Sequence, residues 1–200
     1  MINIAIIGMG QMGMIHADII TKNRDLNLIA VSKKGLDRSK EIRDKYGVEV
    51  YTDNDKLLDI KEIDYVVIST TNETHEELTI KAIRKGKNVI VEKPMSIDYE
   101  STLRMIKAAE EHNKNLFVYN STLWDRAFLL VKDTIETGDL GDILVIQSRW
   151  MAFGEYWAGW GIHSMDFPWR IKPEYGGGIL IDIGYHLITQ IIQIIKKDPI

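Results

Sequence analysis

Ile2-Asn3-Ile4-Ala5-Ile6-Ile7-Gly8-Met9-Gly10-Gln11-Met12-Gly13 opens the chain and decides how the rest is read. An apolar run of strand length meets three glycines at the spacing G-x-G-x-x-G, and a helical pattern over 11–22 follows. In that setting each glycine has a task. The first permits a tight turn, the second lets backbone approach a pyrophosphate, and the third lets helix and strand pack closely. The helix start adds N–H groups and a partial positive charge. The stretch therefore predicts dinucleotide binding by Gly8, Gly10, Gln11, Met12 and Gly13 rather than a purely structural turn.

Outward from it, apolar runs alternate with helical patterns. Strands are predicted over 2–7, 26–31, 48–51, 65–69, 88–91 and 116–119, with helices over 11–22, 37–46, 54–58, 74–85 and 98–112. Thr74 and Glu77 have the form of a capping box, and Gly86 supplies a stop. Continuous apolar strands separated by helices imply a parallel sheet covered on both faces. The expected class is α/β, a doubly wound Rossmann domain over 1–120. After Asn120 the pattern changes: a helix over 125–136, a long strand over 143–151, an aromatic, glycine-rich stretch over 152–178, and a last helix over 178–195. Residues 121–200 read as the incomplete start of an α/β substrate or dimerisation domain with an open sheet. The chain reads as the first part of a longer protein.

Composition narrows the partners. The 200 residues carry a net charge of −4 and no cysteine. This argues against nucleic acid or a membrane surface as the main partner and fits a reducing cytoplasm. No basic region precedes the first apolar run, and Gly8 stops that run early, so no signal peptide is expected. The run Ile191-Ile192-Gln193-Ile194-Ile195 is too short to span a bilayer. No metal site is read.

At the end of the second strand, an acid would hold the ribose 2′-OH of NAD. This chain has Ser32-Lys33-Lys34 there. A hydroxyl and two ammonium groups attract a 2′-phosphate, which favours NADP over NAD; the plainer reading is a solvated loop. Thr70-Thr71-Asn72 follow the fourth strand, where small polar groups suit ribose or pyrophosphate, or simply end the strand. Glu92-Lys93-Pro94 end the fifth. Two charges at the mouth of a buried strand need partners or a chemical task, and ligands bind at the carboxyl ends of such strands.

Four motifs occur in order: the glycine turn, Thr71-Asn72-Glu73-Thr74-His75, Gly86 to Pro94, and Gly176-Gly177-Gly178-Ile179-Leu180-Ile181-Asp182-Ile183-Gly184-Tyr185-His186. Together they resemble the Gfo/Idh/MocA oxidoreductase family, over essentially the whole chain. The resemblance implies hydride transfer between NAD(P) and a hydroxyl-bearing carbon of a sugar, inositol or related polyol, in a homo-oligomer at full length. It implies Lys93, Asp182 and His186 as the catalytic trio, Glu92 and Lys93 beside the nicotinamide ribose, His75 among the cofactor residues, and a cis Lys93–Pro94 bond. Trp169 and Arg170 fit the family's substrate pocket, as does Asn120, although packing serves the aromatics as well. Two alternatives are a nicotinamide-dependent glycosidase and a non-catalytic NAD(P)-binding regulator.

The chemistry of these side chains agrees. Oxidising an alcohol removes its hydroxyl proton as hydride leaves carbon, and histidine exchanges protons near neutral pH. Asp182 and His186, four apart, share a helix face, so Asp182 orients the imidazole or accepts from the substrate. Lys93 stabilises developing alkoxide charge, although its role and that of His186 are exchangeable. His16 and His75 read as local structural groups. Trp157, Trp160 and His163 are candidates for facing substrate. Two departures from the family stand out: Ser121-Thr122-Leu123-Trp124 replaces the arginine expected after Asn120, and the large C-terminal sheet is missing.

Overall fold

The computed structural model describes residues 1–35, 37–151 and 168–195. The chain divides into two compact units, Met1–Tyr119 and Asn120–Ile200.

The first unit alternates β1 (Ile2–Ile7), α1 (Gln11–Lys22), β2 (Leu26–Ser32), α2 (Ser39–Tyr46), β3 (Glu49–Tyr51), α3 (Asn54–Leu58), β4 (Tyr65–Ile68), α4 (His75–Arg84), β5 (Asn88–Glu92), α5 (Tyr99–Glu111) and β6 (Leu116–Tyr119). The strands form one six-stranded sheet in the order β3-β2-β1-β4-β5-β6, with every pairing parallel. The order reverses between β1 and β4, and in open α/β sheets ligands bind at such a switch point, outside the carboxyl ends of the strands.

Strand alternation builds a core on each face. Ile4 and Ile6 pack with Ala17, Ile20 and Ile42 on one side. Ala5 and Ile7 pack with Leu78, Ala82, Ile83 and Met105 on the other. This is why the strands read as continuous apolar runs. Asp53 and Asp98 cap α3 and α5 by accepting from the backbone N–H of Asp55 and Ser101, as short acceptors before a helix do. Gly86, at φ +80°, ends the α4 region. The predicted capping box does not form. Thr74 Oγ1 donates instead to the Thr71 carbonyl at 2.7 Å, and a 3₁₀ turn over Asn72–Thr74 leads into α4.

The second unit holds a 3₁₀ turn over Ser121–Trp124, α6 (Arg126–Glu136), 3₁₀ turns over Pro168–Ile171 and Pro173–Tyr175, a π-helical turn over Leu180–Gly184 and α7 (Tyr185–Ile195). The strand predicted over 143–151 is not formed. Its residues are mostly exposed, and no strand pairs with it among the described residues; without a neighbour its N–H and C=O groups have no ladder to join. A second correction concerns length. The segment Pro173–Ile195 spans 23 residues and contains an 18-residue stretch of mean hydropathy 1.5, enough by length and composition to cross a membrane, although Gly176 and Gly178, both at positive φ, interrupt its helical path. It carries an ion pair and a polar cluster, described below, which suit packing within protein.

Candidate functional site

The first unit presents the glycine turn between β1 and α1. A Cβ at Gly13 would lie 1.9 Å from the Gly8 carbonyl oxygen, and one at Gly8 would lie 2.6 Å from the Ser69 carbonyl oxygen. Those two glycines are demanded by the protein's own packing. Gly10 is different: a Cβ there meets nothing within 4 Å. Internal packing gives no reason for a glycine at this exposed position, whereas close approach of a ligand does. Gly10 caps α1 without a side-chain hydrogen bond, and the first turn carries no acid, so the N–H groups and partial charge stay available to an anion. Gly10→Ala is therefore expected to leave the melting temperature unchanged and to weaken dinucleotide binding. Gly13→Ala should cost about 3 kcal/mol, the upper end of overpacking penalties. Thermal unfolding beside calorimetric titration with NADP distinguishes the two; equal binding by wild type and Gly10→Ala would remove Gly10 from the site.

At the end of β2, Ser32 is 1% exposed and its hydroxyl donates to Asn54 Oδ1. Lys33 folds back: its ammonium donates to Asp37 Oδ1 at 2.7 Å and to the Asp37 carbonyl at 2.6 Å. That contact holds the Asp37 carboxyl below its ordinary range. Arg38 pairs with Glu41. Of the three residues read as a 2′-phosphate site, Lys34 is the exposed one, and Ser32 and Lys33 chiefly build the loop.

After β4, Thr70 and Thr74 share a hydroxyl hydrogen bond of 2.6 Å, and Thr71 donates to Glu73 Oε1. Asn72 is buried. His75 is fully buried, with Nδ1 2.9 Å from the Pro94 carbonyl and Nε2 3.3 Å from the Thr70 carbonyl. Desolvation pushes its pKa down, against the two carbonyls. Enclosed in this way, His75 ties together the loops that follow β4 and β5.

Glu92 ends β5 with 6% exposure. Its Oε1 accepts from His16 Nε2 at 2.7 Å, and its Oε2 accepts from the Lys93 backbone N–H at 3.2 Å. His16 stacks edge-on against Tyr119, ring centroids 4.5 Å apart. Burial, and after it Glu92, pushes the Tyr119 phenol above its ordinary range. The Lys93–Pro94 bond is cis, and Lys93 is half-buried.

In the second unit, the glycine run presses against the Trp169–Arg170 turn. A Cβ at Gly177 would lie 2.5 Å from the Arg170 carbonyl oxygen, and Gly178 N–H donates to that carbonyl at 2.8 Å. The close approach sets Arg170 beside Asp182, Nη1 to Oδ1 2.8 Å, with the guanidinium 4.7 Å from the Trp169 ring. Asp182 thus pairs with Arg170, a partner that helical spacing did not point to. His186, 3% exposed, lies with Nδ1 3.0 Å from Thr122 Oγ1 and 3.4 Å from Asn120 Oδ1. Asn120 is buried, and its amide donates to Thr189 at 2.9 Å, so both its polar ends are engaged inside the unit. Thr122 and Thr189 gave no signal in the sequence. Trp157, Trp160 and His163 lie outside the described residues.

A parallel sheet in this strand order, with an open glycine turn after β1, defines a dinucleotide-binding α/β protein. The chain belongs to the GFO/IDH/MocA oxidoreductase family: a model described as an oxidoreductase family with an NAD-binding Rossmann fold matches residues 2–120, and the family's C-terminal domain matches residues 128–200. It is 34% identical over 149 residues, 73% of its length and 45% of the relative's, to myo-inositol 2-dehydrogenase of Thermotoga maritima. It is 30% identical to the scyllo-inositol 2-dehydrogenase (NADP(+)) of Bacillus subtilis, over 96% of this chain and 51% of that one. The structure of myo-inositol 2-dehydrogenase from Lactobacillus plantarum covers all of the chain at TM-score 0.83 and 26% identity, with 57% of that structure matched. The chain spans about half the length of the relatives it matches.

Proposed function

We propose that the protein is an NAD(P)-dependent oxidoreductase moving a hydride between the nicotinamide and a hydroxyl-bearing carbon of an inositol, sugar or related polyol. One observation carries this most directly. In a single sheet, the glycine turn whose Gly10 is left open and the charged Glu92-Lys93-Pro94 end lie at the carboxyl ends of strands flanking β4. The names of the similar dehydrogenases supply the substrate class. They favour neither the glycosidase nor the regulator.

The turn from Gly8 to Gly13 would hold the pyrophosphate, Thr70, Thr71 and Asn72 the neighbouring ribose, and Glu92 and Lys93 would border the nicotinamide end. Bound nicotinamide supplies the hydride acceptor. His186 takes the hydroxyl proton, Lys93 stabilises the charge left on oxygen, and Asp182 with Arg170 and Trp169 orients substrate hydroxyls. NADP is the preferred cofactor on this reading. The strand end carries no carboxylate to repel a 2′-phosphate, Lys34 is exposed, and the similar Bacillus enzyme is named for NADP.

Two measurements test it. Reduced cofactor should accumulate when the protein meets one member of a panel of inositols and sugars with NADP; silence across the panel with both cofactors defeats the dehydrogenase reading. Calorimetry should show NADP binding more tightly than NAD, and Lys34→Ala should lose about tenfold of that preference. Equal or tighter NAD binding rejects the NADP reading.

A further inference from the structure

We infer that Asn120 and Thr122 fix the tautomer of His186, placing the ring proton on Nδ1 and leaving Nε2 as the atom that accepts a proton. The inference rests on the reading of His186 as the acid/base group.

Hydrogen counting carries it, starting from Thr189. Its hydroxyl donates into the α7 backbone, to the Tyr185 carbonyl at 2.9 Å and the His186 carbonyl at 3.0 Å. Toward Asn120 it can therefore only accept, and the group facing it must be the amide Nδ2, at 2.9 Å. That turns Asn120 Oδ1, an acceptor only, toward Thr122 and His186. Thr122 has one hydroxyl hydrogen, and it goes to Asn120 Oδ1 at 2.9 Å. What Thr122 offers His186 Nδ1, at 3.0 Å, is a lone pair. Asn120 Oδ1, 3.4 Å from the same nitrogen, offers another. Two acceptors face Nδ1, so Nδ1 carries the hydrogen. In the neutral ring Nε2 then holds the lone pair, and which nitrogen accepts is set by the bond the other makes. Gln190 fixes the arrangement by donating to the Thr122 carbonyl at 3.0 Å.

Thr122 stands in the stretch where the chain departs from its family's arginine. Asn120 is a positioning residue in this account, acting through His186 rather than on substrate.

The test is two-bond ¹H–¹⁵N correlation on the full chain labelled with ¹⁵N-histidine, with His186 assigned by His186→Asn, at a pH where the ring is neutral. Wild type should show the Nδ1–H pattern. Asn120→Leu, which releases the Thr122 hydrogen to point at Nδ1, should move His186 toward Nε2–H. Asn120→Asp, which keeps an acceptor in place, should retain Nδ1–H. In turnover, Asn120→Leu should lose about tenfold in kcat with KM little changed, the factor expected if the competent tautomer falls to roughly a tenth of the population. Nε2–H in wild type overturns the inference without any variant having to fold. So does an unchanged tautomer in Asn120→Leu, or a loss there confined to KM, which would mark a substrate contact. An Nδ1–H pattern in a protein that turns over no polyol defeats the functional reading and leaves the tautomer standing.

Discussion

Lys93→Ala is expected to lower kcat by about 10²–10³-fold, the range for removing one preorganised charge stabiliser from a reacting oxygen. Cofactor affinity should fall far less than kcat. Lys93 is half-buried and contributes its backbone N–H to Glu92, an interaction alanine keeps. Lys93→Arg should not restore the rate, since a planar guanidinium does not reproduce a compact ammonium. His186→Asn separates the two roles. If His186 takes the proton, the variant's rate should climb with pH as hydroxide substitutes for the missing base, while Lys93→Ala keeps the wild-type profile at a lower level. The opposite pattern would exchange the assignments, and full turnover by Lys93→Ala would end the catalytic assignment of this residue. Steady-state kinetics across pH, beside fluorescence titration of the cofactor, provides every readout.

The strands of the first unit were legible because a parallel strand buried on both faces has no polar side to interrupt it; β1 and β6 match their predicted bounds. Glycine spacing gave away the turn for the same local reason. The misreadings came from contacts between residues far apart in the chain, or from groups with a choice of nearby partners. Thr74 gave its hydroxyl to the Thr71 carbonyl and forms no side-chain cap bond. Lys33 looked available to a phosphate until Asp37, four residues on, took its charge. The 143–151 run has strand composition, yet composition cannot supply a neighbouring strand. Asp182 was matched with His186 by helical spacing, whereas Arg170 reaches it across the close backbone approach that Gly177 permits. Lys87, just before β5, is 5% exposed and donates to the carbonyls of Ile60, Lys61 and Ile63, long-range contacts that no local pattern reveals.

His16→Leu is expected to cost about 3–5 kcal/mol of stability, the typical loss when a buried carboxylate is left without its partner. Both side chains are enclosed, at 5% and 6% exposure, so water cannot replace the imidazole on Glu92 Oε1. The effect is larger than propensity would suggest, since leucine is a good helix former and sits well in an apolar site. His16→Leu with Glu92→Gln should recover a substantial part of the loss. The neutral amide still offers Lys93 N–H an acceptor, and only a hydrogen bond goes unmade, at about 1–3 kcal/mol. The two changes must therefore be non-additive, as residues in one contact are. Urea unfolding of the two single variants, the double variant and wild type measures this; a His16→Leu loss below about 1 kcal/mol, or no recovery in the double variant, would show that Glu92 does not depend on His16. The contact also joins α1, which starts at the glycine turn, to the end of β5, which carries Lys93. In the double variant that bridge is gone although stability is largely recovered, so kcat should stay depressed. Full activity there would separate the pair's structural part from any part in holding Lys93.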